Sequence, residues 1–178
     1  MESRGWVALS LDVDGYREFA AARLDGLRRT AYLLCGDWHT ADDLASMALT
    51  RVLRHWGRVS RMDNPDAYLR RTLLRAWLDE RRRPWRREQP TDLLPDRSAA
   101  VGAGPEGVAD RLTILALLAE LPPRRRAVLV LRYFCDLSVE ETADELGIST
   151  GTVKSQTARA IQALRARLLD WPVVAEEA

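Results

Sequence analysis

Metal-binding and redox residues are nearly missing from this chain, which has two cysteines and two histidines in 178 residues. Cys35 and Cys135 lie far apart, with no CxxC pair and no histidine beside either. Neither a zinc site nor a disulfide framework is expected, and both read as thiols of the core or its edge. His39 and His55 are isolated as well, so no metal and no cofactor is expected. Signatures of catalysis are missing too: there is no glycine-rich phosphate loop, no HExxH and no GxSxG. The adjacent acids Asp42 and Asp43, like Asp79 and Glu80, leave a helix in different directions and make no acid-base pair. No catalytic residue is assigned, and the chain is not expected to be an enzyme. Long apolar runs are also lacking: none approaches the roughly 20 residues that cross a bilayer. The opening MESRGWVALSLDVDG is too acidic and too short in its apolar part for a secretory signal, so a cytoplasmic location without membrane contact is expected.

What the chain does have is 47% hydrophobic and 30% charged residues, the profile of a soluble globular protein with ample core. Its net charge of +1 conceals a local excess. Between Arg70 and Arg87 eight arginines stand against only Asp79 and Glu80, a balance of +6, and Arg124 to Arg126 form a second basic cluster. For binding a polyanion such asymmetry matters more than the sum.

Apolar residues recur at helical spacing along most of the chain and no strand-type alternation stands out, so the fold class is all-α. Phe19, Leu27 and Ala31 to Leu34 outline a first helix ended near Gly36. Thr40 with Asp43 resembles a capped start for a second, carried by Ala41, Leu44, Ala48, Val52 and Trp56 with Gly57 near its end. Asn64 followed by Pro65 opens a third, with Leu69, Leu73, Ala76 and Trp77 as its inward stripe and Arg71, Arg75 and Arg82 pointing elsewhere. From residue 88 to 107 the sequence EQPTDLLPDRSAAVGAGPEG is too poor in spaced apolar residues to build a core and reads as a flexible tether. A tether of that length lets the flanking modules sit about 25 Å apart. Beyond it Val108, Leu112, Leu115 and Leu118 mark a helix ended by Pro122 and Pro123, and Val128, Leu129, Leu131 and Tyr133 mark the next.

The stretch from Leu137 to Leu164 is the most informative. Ser138 with Glu141 forms a capping box, and Gly147 stands where a helix ends in a left-handed turn that glycine adopts without strain. Ser149 or Thr150 caps a following helix whose inner side is Val153, Ala160, Ile161 and Leu164. Its outer side carries Thr150, Thr152, Lys154, Ser155, Gln156 and Arg159, and residues 150 to 167 include no acid. This is a helix-turn-helix with a face suited to base edges and phosphates. The plainer reading of the same pattern is a helical hairpin with a solvated basic face.

LPPRRRAVLVLRYFCDLSVEETADELGISTGTVKS in the second module, with ADDLASMALTRVLRHW and NPDAYLRRTLLRAWLDERRR in the first, resemble the extracytoplasmic-function sigma factors of bacterial RNA polymerase. The resemblance covers about residues 16 to 169 and is of the actinobacterial kind. It implies two small helical domains joined by a linker: residues 15–87 for polymerase binding and for recognising and melting the minus-10 box, a linker at 88–107, and a helix-turn-helix at 108–170 for the minus-35 box. The implied partners are the clamp and flap of core RNA polymerase, double-stranded promoter DNA, the unpaired minus-10 strand and a candidate anti-sigma factor. Carried onto this chain, the clamp-binding residues are Asp42, Asp43, Leu44, Arg51 and Trp56. The downstream-box residues are Asn64, Tyr68, Arg71, Arg75, Arg82 and Trp85, where rings take unstacked bases and guanidinium groups hold phosphates. Trp77, on the inward stripe, is assigned to the core. The chain departs from the family pattern at Ser46 and Met47 in place of Gln and Glu, at Gln156 and Thr157 in place of Arg and Leu, and at Arg125 and Ala127 in place of acids.

Against the sigma-factor reading stand a helix-turn-helix regulator of another type, which binds DNA without being a polymerase subunit, and a purely structural interaction protein. The regulator would carry a ligand or phosphoacceptor domain ahead of its reader, whereas residues 16 to 86 hold a basic, aromatic helix.

Overall fold

In the computed structural model residues 12–82 and 114–169 are described, and every regular element among them is helical. Helix α1 (Val13–Cys35) begins at Asp12, whose carboxylate accepts from the Gly15 amide, and ends at Gly36, in the left-handed region at φ 81°. Helix α2 (Trp38–Arg54) starts two residues ahead of Thr40. Its cap is Asp37, which accepts from the Thr40 amide at 2.7 Å, and Trp38 stacks on Tyr32 with ring centroids 4.1 Å apart. That stacking draws the start of α2 onto α1, which corrects the cap expected at Thr40. Trp56 is also displaced from its expected helix: it opens a separate short turn, α3 (Trp56–Val59), that also holds Gly57.

Helix α4 (Pro65–Arg82) starts as expected, with Asn64 Oδ1 accepting from the Ala67 amide at 2.9 Å. Its stripe of Leu69, Leu73, Ala76 and Trp77 is at most 3% exposed and closes the core of the first unit. Burial of each large member contributes about 1.5–3 kcal/mol. Trp56 completes that core, edge-on to Tyr16 and tilted against Phe19.

The second unit comprises α5 (114–120), α6 (Pro123–Leu129), a π-helical turn (Val130–Phe134), α7 (Val139–Leu146) and α8 (Thr150–Leu169). Val108 and Leu112 lie outside the described residues, as does the expected tether. Tyr133, expected among the apolar markers of this helix, is 58% exposed; it lies within the π-turn, whose wider winding takes it off the buried side. Inside the helix-turn-helix Val128, Ala143 and Val153 form a small buried cluster. The two units are in contact. Ala127, Val130, Leu131 and Leu137 join the core of the first unit, and α7 packs on α4.

Candidate nucleic-acid interface

The reading helix is positioned by two turns whose causes are local. Ser138 Oγ accepts from the Glu141 amide at 3.0 Å while Glu141 accepts from the Ser138 amide at 2.7 Å, so the expected capping box is closed on both sides. These donors hold the Glu141 carboxyl below its ordinary range. Gly147 ends α7 at φ 64° and ψ 41°. Ser149 is the cap of α8, accepting from the Thr152 amide at 3.1 Å. Val153 and Ala160 are fully buried and Ile161 and Leu164 partly so, which turns the other side outward. On that side Thr150, Lys154, Ser155 and Arg159 are exposed, while Thr152 and Gln156 are half-buried. The Thr152 hydroxyl pairs with Ser149 at 2.8 Å and Ser155 donates to the Thr152 carbonyl. Lys154, Gln156 and Arg159 are thus the longer members of the face.

A second basic feature lies where the end of α2 meets α4. A depression of about 400 Å³ is lined by Arg51, Arg54, His55, Tyr68, Arg71, Thr72 and Arg75. No acid is among them. Tyr68, Arg71, Thr72 and Arg75 share one side of α4 at helical spacing, with Thr72 itself buried at its edge. Thr72 donates its hydroxyl back to the Tyr68 carbonyl at 2.7 Å, and Arg71 Nε has no protein acceptor. Of the expected downstream-box residues, Tyr68, Arg71 and Arg75 come together here, and Asn64 serves as the helix cap. Trp85 and the side chain of Arg82 lie outside the described residues. Trp77 is 2% exposed, in the core. Arg54, His55 and Thr72 join the site without having been singled out in the sequence. The i, i+3 spacing of Arg51 and Arg54 on the polar side of α2 is the signal that points to Arg54.

The other side of Arg51 borders a shallow groove of about 620 Å³ that also includes Asp43, Leu44, Met47, Arg54 and Glu80. Asp43 and Arg51 are exposed there, and Met47 is 40% exposed. Asp42 is held by Arg28 of α1, Nη2 to Oδ2 at 3.0 Å. Leu44 and Trp56 are 2% and 5% exposed, so they fix α2 from within and leave Asp43 and Arg51 to the surface.

The basic clusters divide in the same way. Arg70 is turned onto Glu145, Arg81 lies 5.9 Å from the Trp77 ring, and Arg126 is buried whereas Arg124 is exposed. Cys35 and Cys135 are half-exposed residues with largely buried thiols, and burial pushes the Cys35 thiol up to about 11. Among the described residues no group of His, Cys, Asp and Glu is arranged to hold a metal ion, and no helix is long and apolar enough to cross a membrane.

Comparison with known proteins places both features in context. The family pattern described as Sigma-70 region 2 matches residues 19–87, and Sigma-70, region 4 matches residues 111–164. The chain is 39% identical over 153 residues to the RNA polymerase sigma-E factor of Streptomyces avermitilis, covering 86% of this chain and 84% of that protein. It is 31% identical over 161 residues to the ECF RNA polymerase sigma factor SigL of Mycobacterium tuberculosis, covering 89% of each. In fold it resembles the sigma factor RpoE of Bartonella quintana, solved with the anti-sigma factor NepR. That match has a TM-score of 0.71 and 24% identity over 87% of this chain and 97% of that one.

Proposed function

We propose, because this chain belongs to the extracytoplasmic-function sigma factors of RNA polymerase, that its two basic features divide promoter recognition between them. As a sigma factor the protein binds core polymerase and directs it to promoters, as a non-catalytic subunit. In this reading residues 15–87 form the unit that opens the minus-10 box. The acid-free depression holding Tyr68 among Arg51, Arg54, Arg71 and Arg75 is the observation that carries it. Bases leaving the duplex stack on Tyr68 while the guanidinium groups hold the strand's phosphates. Stacking returns about 1–3 kcal/mol per base, similar to the few kcal/mol that unstacking costs, so binding alone drives opening. Residues 108–170 form the minus-35 unit, with Lys154, Gln156 and Arg159 on base edges and phosphates and the Thr150 end of α8 toward the backbone.

The groove along α2, with Asp43, Met47 and Arg51 at its surface, is the proposed face for the polymerase clamp. Arg51 and Arg54 border both that groove and the strand depression, so the clamp and the unpaired strand meet at these two arginines. An anti-sigma polypeptide, of the kind paired with the Bartonella protein, would compete for the same groove.

Run-off transcription with core polymerase tests the division. Tyr68→Ala and Arg75→Ala are expected to lose activity on duplex promoters and recover it on templates with a pre-opened bubble. Lys154→Ala is expected to lose discrimination of the upstream box on both templates. Equal activity of all variants with the wild type would defeat both assignments.

A further inference from the structure

Of the 27 basic residues in the chain, all but Lys154 are arginine. The two cations differ in their chemistry. A guanidinium stays protonated in proteins and does not take an acyl group, whereas the amine of lysine is a nucleophile once it has lost its proton and is neutral once acylated. A reagent that acylates amines therefore meets one side chain in this protein.

That side chain stands on the outer face of α8. Lys154 is exposed, and its neighbours one turn away on the helix are Thr150 and Gly151 before it and Thr157 and Ala158 after it. None is larger than threonine, so the amine is open to approach along the helix from both directions. Nor is any of them acidic. Residues 150 to 167 carry no carboxylate, and among the described residues no Asp or Glu pairs with Lys154, so no partner has to be displaced before the amine reacts. Lys154 and Arg159 are the two cations of this face, and with no acid beside them they attract anions. Acyl phosphates, and acyl thioesters on phosphorylated carriers, are anions.

Other thiols, and the hydroxyls around Lys154, are held back. Burial pushes the thiols of Cys35 and Cys135 above their ordinary value, the first to about 11. The hydroxyls of Ser149 and Thr152 pair with each other at 2.8 Å, and those of Ser155 and Thr157 donate to the carbonyls of Thr152 and Val153.

We propose that Lys154 is an acylation site, and that transfer of an acyl group from an acyl phosphate or acyl thioester to its Nζ switches off recognition of the upstream box. Nζ attacks the acyl carbon, and the N–C bond forms as the bond from that carbon to the phosphate oxygen or thioester sulfur breaks. The ammonium gives up two protons in all, one to the departing phosphate or thiolate and one to solvent, and the product is a neutral amide. Acylation thus halves the charge of the reading face, and the chain has no second lysine to share or dilute the effect. The consequence for DNA rests on the reading of α8 as the upstream-box helix; the reactivity of Lys154 does not.

The free full-length chain, treated with acetyl phosphate in one arm and acetyl-coenzyme A in the other, tests the site. After removal of the reagent each sample is mapped by peptide mass spectrometry and assembled with core polymerase. Lys154 is expected to carry an acetyl group in at least one arm, and modification in one arm alone names the donor. An unmodified Lys154 beside an acetylated α-amino group in both arms overturns the proposal. Holoenzyme with the acetylated chain is expected to bind upstream-box duplex at least about fivefold more weakly than the untreated form, and Lys154→Gln, which has a neutral amide without any reagent, to show a similar loss. Treated Lys154→Arg is expected to match untreated Lys154→Arg, whatever the affinity of that variant; a loss on treatment there traces the effect to another group and overturns the proposal. An acetylated chain that binds like the untreated one while Lys154→Ala binds weakly overturns the switch and leaves the reading of α8 standing. If Lys154→Ala also binds like the wild type, that reading has itself failed and the switch falls with it.

Discussion

Arg23, in the middle of α1, grips Asp66 in the first turn of α4 with two nitrogens: Nε meets Oδ1, and Nη2 lies 3.0 Å from Oδ2. The same guanidinium sits 4.1 Å from the centre of the Phe19 ring, so one side chain ties the start of α4 to the core of α1. The Arg23 hydrogen bond outweighs burial and holds the Asp66 carboxyl below its ordinary value of 3.8. A carboxylate depressed in this way contributes stability that is fully present above the unfolded value and is lost as pH falls through the folded one. Asp66→Asn is therefore expected to lower stability at pH 7. The loss is less than about 1 kcal/mol, because both side chains are a third or more exposed. In urea titrations the difference between variant and wild type is expected to shrink as pH drops below 3.8; a difference that stays constant would show that the pair contributes through packing alone.

Positive φ occurs at Gly147 (64°) and Asp136 (53°), and the two predict opposite outcomes. A β-carbon on Gly147 would meet nothing within 4 Å, so Gly147→Ala is expected to cost only the backbone strain, about 1 kcal/mol. Asp136 already bears that strain, and Asp136→Gly is expected to gain a few tenths to about 1 kcal/mol. Thermal unfolding reads both, at about 2–4 °C per kcal/mol for a chain of this size. Shifts of the same sign would mean that side-chain contacts, and not φ, decide these positions.

How far the fold is legible from the sequence depends on how local each cause is. The Ser138 and Glu141 box, the turn at Gly147 and the stripe from Leu69 to Trp77 are written in neighbouring residues, and each forms as expected. Thr40 reads as a cap because Asp37 and Thr40 are both capping types three apart, and the stacking of Trp38 on Tyr32 goes with the earlier one. The strand depression is half legible. Tyr68, Arg71 and Arg75 follow from the period of α4, but Arg54 and His55 come from the end of another helix and depend on how α2 packs on α4. Arg70 and Arg126 belong to clusters that read as phosphate-seeking. Which arginines face water is decided by partners such as Glu145, 75 positions away, and the end of α1.

The basic cluster at the start of α6 gives a third prediction, since Arg124 is exposed, Arg125 half-buried and Arg126 buried. If Arg125 neutralises one phosphate of the upstream duplex, Arg125→Ala is expected to make the salt dependence of binding shallower by about 0.9 in the log–log slope. The measurement is holoenzyme affinity for upstream-box duplex across a salt series. An unchanged slope would place Arg125 off the DNA.

Gln156 sits half-buried on α8 between the exposed Ser155 and the half-buried Thr157, with its amide as both donor and acceptor. That pairing matches the N6 and N7 of adenine, whereas an arginine matches the O6 and N7 of guanine, each good bidentate contact being worth about 1–3 kcal/mol of discrimination. Gln156→Arg is expected to switch one upstream base pair from adenine to guanine preference while leaving the others alone. Ser155→Ala is expected to change little, because that hydroxyl already donates to the Thr152 carbonyl. Selection of holoenzyme binding sites from a randomised upstream box separates these outcomes. A Gln156→Arg variant that binds every sequence more tightly by the same factor would place residue 156 on the phosphate backbone and off the base edges, since a backbone contact adds affinity without sequence.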